Sequence, residues 1–234
     1  MTLPAAILAG GLATRLRPLT ETIPKSLVEV AGEPFAFHQL RLLARHGFTE
    51  AVFLTGYLGE RIEQAVGDGS RFGLRVRYVP DGPVLLGTGG AIARALPALG
   101  PRFAVVYGDS WLEFDYQAAL SAFERDGRPA LMTVFRNEDP AHANNVVFDR
   151  GEIMAYSKAD RVPGMFHIDY GFSAFNAEVF AGLSTDVPTD LATVTEDLAR
   201  RRLLFGFEVH HRFHEVGSFT GLADLEAHFS GNLR

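Results

Sequence analysis

Leu3 to Leu8 is a short apolar run that stops at the paired glycines Gly10 and Gly11, and this junction constrains the fold more than any other segment. Such a run suits a strand buried on both faces, as in a parallel sheet, feeding a sharp turn. Glycines at the turn can take positive φ and let a ligand approach closely, so that their N–H groups converge on an anion. Arg15 then offers a planar fork suited to phosphate, and Lys25 a compact charge. Residues 1–27 hold three cations, Arg15, Arg17 and Lys25, against Glu21 alone. A bare Gly-Gly pair with solvated cations would be an ordinary turn; the whole string reads as a cradle for a polyphosphate.

Downstream, strand and helix patterns alternate. Apolar spacing predicts helices over 34–46, ending at Gly47, and around 58–66, 91–96, 116–125 and 189–200, with Asp190 as a cap. Strands are expected at 51–55, 74–79, 103–107, 130–135 and 203–209. From 144 to 175 the pattern changes to short strands at 145–149, 152–157 and 172–175, the first two joined by an Arg150-Gly151 hairpin turn. The alternation implies an α/β chain with a doubly wound sheet, helices on both faces, and ligands beyond the carboxyl ends of the strands. At 234 residues one domain is expected, spanning 1–234.

Composition excludes several classes. The chain is 47% hydrophobic and 21% charged, and no apolar stretch approaches the ~20 residues of a membrane span. The first residues lack the basic segment of a signal peptide, and there are no cysteines, so the expectation is a cytoplasmic protein without disulfides or thiolate metal sites. A net charge of −6 argues against nucleic-acid binding. Lys25 and Lys158 are the only lysines among 22 basic residues, which marks both for a functional question.

Two further segments carry chemistry. Gly87, Thr88, Gly89 and Gly90 stand just before an expected helix, where N–H groups and the dipole favour an anion. Gly108-Asp109 ends a buried strand, a position that suits a carboxylate holding Mg²⁺ beside phosphate oxygens, or a turn cap. His210, His211 and His214 invite a zinc site, but neighbours on a strand face opposite sides, which disperses them.

Leu8-Ala9-Gly10-Gly11-x-x-Thr14-Arg15-Leu-x-Pro-Leu-Thr, followed by Pro24-Lys25, resembles the signature of the sugar-1-phosphate nucleotidylyltransferases, or NDP-sugar pyrophosphorylases. The resemblance implies a Rossmann-like three-layer α/β/α fold with a mixed, mostly parallel central sheet. It implies that Leu8, Ala9, Gly10, Gly11 and Thr14, with Gly87 to Gly90, hold the nucleotide, and that Arg15 and Lys25 serve its phosphates or the sugar phosphate. Asp109 and Glu215 become the Mg²⁺ ligands. It implies that Gly108, Asn145, Lys158 and Asp169 bind the sugar phosphate, and that about residues 136–176 form the sugar-binding side of the cleft.

The chain also departs from the family pattern. Ser26 replaces a proline, Glu215 replaces an aspartate, Ser157 replaces a glutamate, Asp169 replaces an asparagine, and Asn144-Asn145 replaces Tyr-Gly. The changes on the sugar side imply an unusual sugar.

The implied reaction joins an NTP to a sugar 1-phosphate, releasing pyrophosphate by in-line attack on the α-phosphorus. A phosphate monoester has its second pKa near ~6, so the attacking oxygen is already anionic and no general base is needed. Leu86-Gly87-Thr88-Gly89-Gly90-Ala91-Ile92 resembles heptose-1-phosphate guanylyltransferases, which favours GTP with a heptose or hexose 1-phosphate. Residues 58–74 resemble N-acetylmuramate-1-phosphate uridylyltransferases, which favours an amino-sugar 1-phosphate. The product would be a precursor for cell-surface polysaccharide, and the protein a monomer or a homodimer. A glycosyltransferase of similar fold would carry Asp-x-Asp, whereas Asp109 precedes Ser110 and Trp111. An inactive sugar-nucleotide-sensing homologue would be expected to have lost Arg15 and Lys25.

Overall fold

The computed structural model describes residues 3–139 and 142–232. Its first half runs β1 (Ala5–Ala9), a small β2 (Glu29–Val30) and β3 (Glu33–Pro34) hairpin, α1 (Phe35–Arg45), β4 (Glu50–Thr55), α2 (Gly59–Val66), β5 (Arg75–Pro80), α3 (Gly87–Leu99) and β6 (Arg102–Tyr107). The second half runs β7 (Ser110–Trp111), α4 (Tyr116–Asp126), β8 (Ala130–Arg136), β9 (Val146–Asp149), β10 (Glu152–Tyr156), β11 (His167–Asn176), α5 (Leu191–Arg200), β12 (Leu204–Val209), β13 (His214–Glu215) and α6 (Phe219–Asn232). A nine-stranded sheet has the order β5-β4-β1-β6-β11-β8-β12-β10-β9. β1 is parallel to both β4 and β6, while β11 is antiparallel to β6 and β8. The sheet is therefore mixed, as the resemblance implies.

Alternate residues of β1 build two cores. Ala5 and Ile7 pack with α1, α2, α4 and Leu225 of α6, whereas Ala6 packs with α3 and α5 on the other face. This period-two division explains why the strand reads as continuously apolar. In α1 the buried set Phe35, Ala36, Gln39, Leu40, Leu42 and Leu43 forms one face. Gly47, with φ +82, closes the helix as expected. Asp190 caps α5 by accepting from the Ala192 N–H. Arg150 and Gly151, both at positive φ, turn β9 into β10.

Two expectations need correction, and one element was not foreseen. Gly87 to Gly90 form the first turn of α3 rather than a loop before it, because Thr189 O accepts from the N–H groups of Gly89 and Gly90. β11 begins at His167, not Phe172, since Asp169-Tyr170-Gly171 forms an irregularity within the strand, with Gly171 at φ +102. α6 was not foreseen: its two glycines, Gly221 and Gly231, mask the helical pattern. Among the described residues no helix is long and apolar enough to cross a membrane.

At the sheet's carboxyl edge the strands meet very closely. A Cβ on Gly108 would fall 2.6 Å from the Leu8 carbonyl oxygen. Gly108→Ala is therefore expected to cost about 1–3 kcal/mol through overpacking, read from urea unfolding; an unchanged midpoint would show that the strand ends can yield.

Candidate active site

The turn after β1 is tight for a reason other than the one expected. Neither Gly10 nor Gly11 is among the positive-φ residues; the left-handed position falls on Ala13, with φ 48. The close approach is to Gly56, just after β4: a Cβ on Gly56 would fall 2.7 Å from the Gly10 carbonyl oxygen, and a Cβ on Gly10 would lie a tight 3.2 Å from the Gly56 nitrogen. Thr20 Oγ1 donates to Ala13 O at 2.8 Å and ties the loop down.

Beyond this edge lies a cavity of about 360 Å³. Leu8, Ala9, Gly10, Gly11, Gly87, Thr88 and Gly108 line it, together with Lys25, Asp109 and Lys158. Gly89 and Gly90 do not, their N–H groups being bound to Thr189 O. Thr88 lines the cavity, but its hydroxyl donates to Asp190 and accepts from the Leu191 N–H, so it also fastens α3 to the start of α5. Thr14 stays exposed on the loop and lines none of the main cavities.

Lys25 and Asp109 meet directly, Nζ to Oδ2 at 2.8 Å, with side chains 21% and 26% exposed. Asp109 is held from three sides. The Gly108 N–H donates to Leu8 O, and the Val216 N–H donates to Asp109 O. Gln39, buried on α1, donates through Nε2 to the carbonyls of Tyr107 and Ser110. Sequence reasoning missed Gln39; its signal was a polar residue on an otherwise apolar helix face.

Asp109 and Tyr107 also line a second cavity of about 550 Å³, where Arg15 and Glu215 stand. Pairing of β13 with β7 sets Glu215 opposite Ser110, next to Asp109. The Glu215 carboxylate folds back between Gly217 and Gly221, accepts from Ser218 Oγ at 2.8 Å, and lies 3.8 Å from Arg15. Gly221 is required there, since a Cβ on it would fall 2.6 Å from the Glu215 backbone carbonyl oxygen, whereas a Cβ on Gly217 would push the Glu215 carboxylate out of this position. Among the described residues no cluster of three His, Asp or Glu side chains forms a metal site. Asp109 and Glu215 both line the second cavity, and two carboxylates on one cavity fit Mg²⁺, which commonly takes one or two carboxylates and completes its shell with other oxygens and water. His214 is paired to Asp224, Nδ1 to Oδ2 at 2.7 Å, and His210 and His211 are exposed.

On the remaining wall, Asp169 accepts from Tyr107 OH at 2.7 Å and from the Gly171 N–H at 3.0 Å. Burial pushes its carboxyl above the usual range, against the opposing charge of Lys158. Burial and the Asp169 charge push the Tyr107 phenol well up, so it stays a donor. Asp169 thus anchors its surroundings: its carboxylate is committed to protein donors. Asn145 lines neither cavity, its Oδ1 accepting from the Asp169 N–H at 2.9 Å. Lys158 Nζ sits 5.6 Å from the centre of the Tyr107 ring.

Three more residues of the first cavity escaped sequence reasoning. Asp81 follows β5 as Asp109 follows β6; it is buried, accepts from the Leu86 N–H, and has its carboxyl raised by burial. Leu85 supplies an apolar wall, and Ser26 is almost wholly buried.

A family model described as nucleotidyl transferase matches residues 4–152. The chain is 34% identical over 225 residues to the N-acetylmuramate alpha-1-phosphate uridylyltransferase of Neisseria meningitidis, covering 95% of this chain and 96% of that protein. It is 33% identical over 177 residues to a mannose-1-phosphate guanylyltransferase of Mycobacterium tuberculosis, covering 75% of this chain but only 49% of that longer protein. Among solved structures, HddC from Yersinia pseudotuberculosis shares the fold with a TM-score of 0.83 at 20% identity, over 97% of this chain and 100% of that one. Its complex with GMP-PN gives a TM-score of 0.82 at 21% identity, with the same coverage.

Removing the Tyr107 hydroxyl isolates this last wall. Tyr107→Phe is expected to raise KM for the phosphorylated co-substrate about tenfold, the scale of one hydrogen bond to a charged group, and to leave KM for the nucleotide nearly unchanged. Equal shifts in both constants would assign the residue to general packing.

Proposed function

The chain belongs to the nucleotidyl transferase family, and from that premise we propose how its two cavities divide the work of a sugar-1-phosphate nucleotidylyltransferase. An NTP occupies the glycine-lined cavity, the sugar 1-phosphate lies beyond Asp109, and the products are an NDP-sugar and pyrophosphate. The observation that carries this reading is the Lys25–Asp109 pair at 2.8 Å, standing where the two cavities adjoin.

The glycine turn brings backbone close to the triphosphate without side chains in the way. An oxygen of the sugar phosphate forms the new bond to the α-phosphorus, and the bond to the departing pyrophosphate breaks. That oxygen is already anionic near neutrality, so the protein's task is to bring two polyanions together and neutralise them. Lys25 and Arg15 supply fixed positive charge to the phosphates, and Lys158, steadied by Tyr107 and Asp169, serves the sugar phosphate. Asp109 and Glu215 would hold Mg²⁺, which supplies Lewis-acid neutralisation of phosphate charge.

The whole chain acts as one unit in this reading, with residues about 136–176 as the sugar side; residues 140 and 141 lie outside the described residues. UTP is the nucleotide to test first, because the relative matched along almost its full length is a uridylyltransferase. GTP is the second reading, favoured by the Leu86-to-Ile92 segment and by the guanylyltransferase relative.

With Mg²⁺, UTP or GTP and a set of sugar 1-phosphates, the protein is expected to release pyrophosphate. Lys25→Ala should lower kcat by about 10²–10³ while the thermal unfolding midpoint stays put. Glu215→Gln should move half-maximal activity to higher Mg²⁺. Absence of release with every pair, or near-normal turnover in Lys25→Ala, would overturn the reading.

A further inference from the structure

Three residues with side-chain hydroxyls line the first cavity, Ser26, Thr88 and Tyr107, and two of those hydroxyls are committed. Thr88 Oγ1 donates to Asp190 and accepts from the Leu191 N–H, and Tyr107 OH donates to Asp169. Ser26 is different. It is 3% exposed, and its Oγ is buried with no hydrogen-bond partner in the protein. Among the described residues, Ser26 alone both lines this cavity and leaves a buried side-chain polar atom unpaired.

The local backbone does not take up that hydroxyl. Ser26 is the middle residue of a single turn of 3-10 helix, Lys25–Leu27, a setting in which serine commonly bonds back to a nearby carbonyl. Here the Pro24 carbonyl accepts from the Leu27 N–H at 2.8 Å and the Lys25 carbonyl from the Val28 N–H at 3.1 Å. These bonds fix the turn that sets Ser26 next to Lys25 on the cavity wall. A buried hydroxyl without a partner is destabilising, and the proline that the family pattern has at this position would carry none.

The charges of the cavity give the hydroxyl a task. Lys25 is shared with Asp109, and Lys158 lies beside Asp169, so the positive charge of the wall is already partly matched. Neutral donors then add to what holds a triphosphate, and a hydroxyl that donates to an ionised phosphate oxygen makes a charge-assisted bond. We propose that Ser26 is a nucleotide-binding residue, its Oγ–H donating to a non-bridging phosphate oxygen of the NTP beside Lys25. The proposal rests on assigning the first cavity to the NTP, as above. It gives this chain a phosphate contact that proline cannot make.

The test compares Ser26→Ala and Ser26→Cys with the unaltered full chain in Mg²⁺, using UTP and GTP. Two quantities are read: the kinetics of pyrophosphate release, and the rise in unfolding midpoint that the NTP produces. Alanine removes the donor, whereas cysteine keeps the bulk and donates only weakly. Both variants are expected to raise KM for the NTP about tenfold, with kcat and KM for the sugar 1-phosphate nearly unchanged, and to need about tenfold more NTP for the same rise in midpoint. The midpoint without nucleotide should not fall, because no hydrogen bond within the protein is lost. With 2′-deoxy and 3′-deoxy NTPs the difference should persist; its disappearance with either would put Ser26 on the ribose and overturn the phosphate contact. Unaltered constants and midpoint rises in both variants overturn the proposal and leave the reaction class standing. A loss in Ser26→Ala alone, or a midpoint lowered without nucleotide, makes Ser26 a packing residue and overturns it as well. If the unaltered chain shows neither pyrophosphate release nor any rise in midpoint with an NTP, this inference and the reaction class fall together.

Discussion

Backbone proximity at the carboxyl edge of the sheet is the constraint on which the rest of the site depends. Gly10 lies against Gly56, and Gly108 against Leu8, at distances that leave no room for a Cβ on Gly56 or Gly108. These contacts draw the ends of β1, β4 and β6 into one rim and fix where Asp109 and the loop carrying Lys25 can meet. The ion pair between them follows from the placement of the strands. Gln39 then secures the Asp109 segment from the α1 side by donating to the carbonyls of Tyr107 and Ser110, one on each side of it.

The nucleotide side was legible in the sequence because its information is local. The apolar run before Gly10-Gly11, the strand ending at Asp109 and the Asp190 cap each express their role within a few residues. What could not be read depends on pairs far apart along the chain. Tyr107 and Asp169 meet across neighbouring strands, and Gln39 reaches a turn on a different element. Asp169 had the position of a sugar contact, yet its oxygens are occupied by protein donors that single-sequence reasoning has no means to identify. Gly89 and Gly90 differ from the expectation for a related reason: glycine shows that something approaches closely, and the fold shows that the backbone of Thr189 does so.

The two cavities differ in chemistry. The first is lined largely by backbone and fixed positive charge. The second is lined by carboxylates, several of them held in side-chain pairs such as Asp224 with Arg212 and His214. The family-model match ends at residue 152, while Asp169, Arg212 and Glu215 lie beyond it. Similarity in the matched portion therefore speaks to the reaction more than to the sugar.

Glu215 sits on a two-residue strand paired with β7, and its carboxylate folds back between Gly217 and Gly221 at the entry to α6. The sheet edge and the glycine turn are complete without it. The second acidic group is thus carried by a short late segment that reaches the Asp109 turn through the β13–β7 pair and the Val216 N–H, so a change in that segment can displace Glu215 while the sheet that carries Asp109 stays as it is.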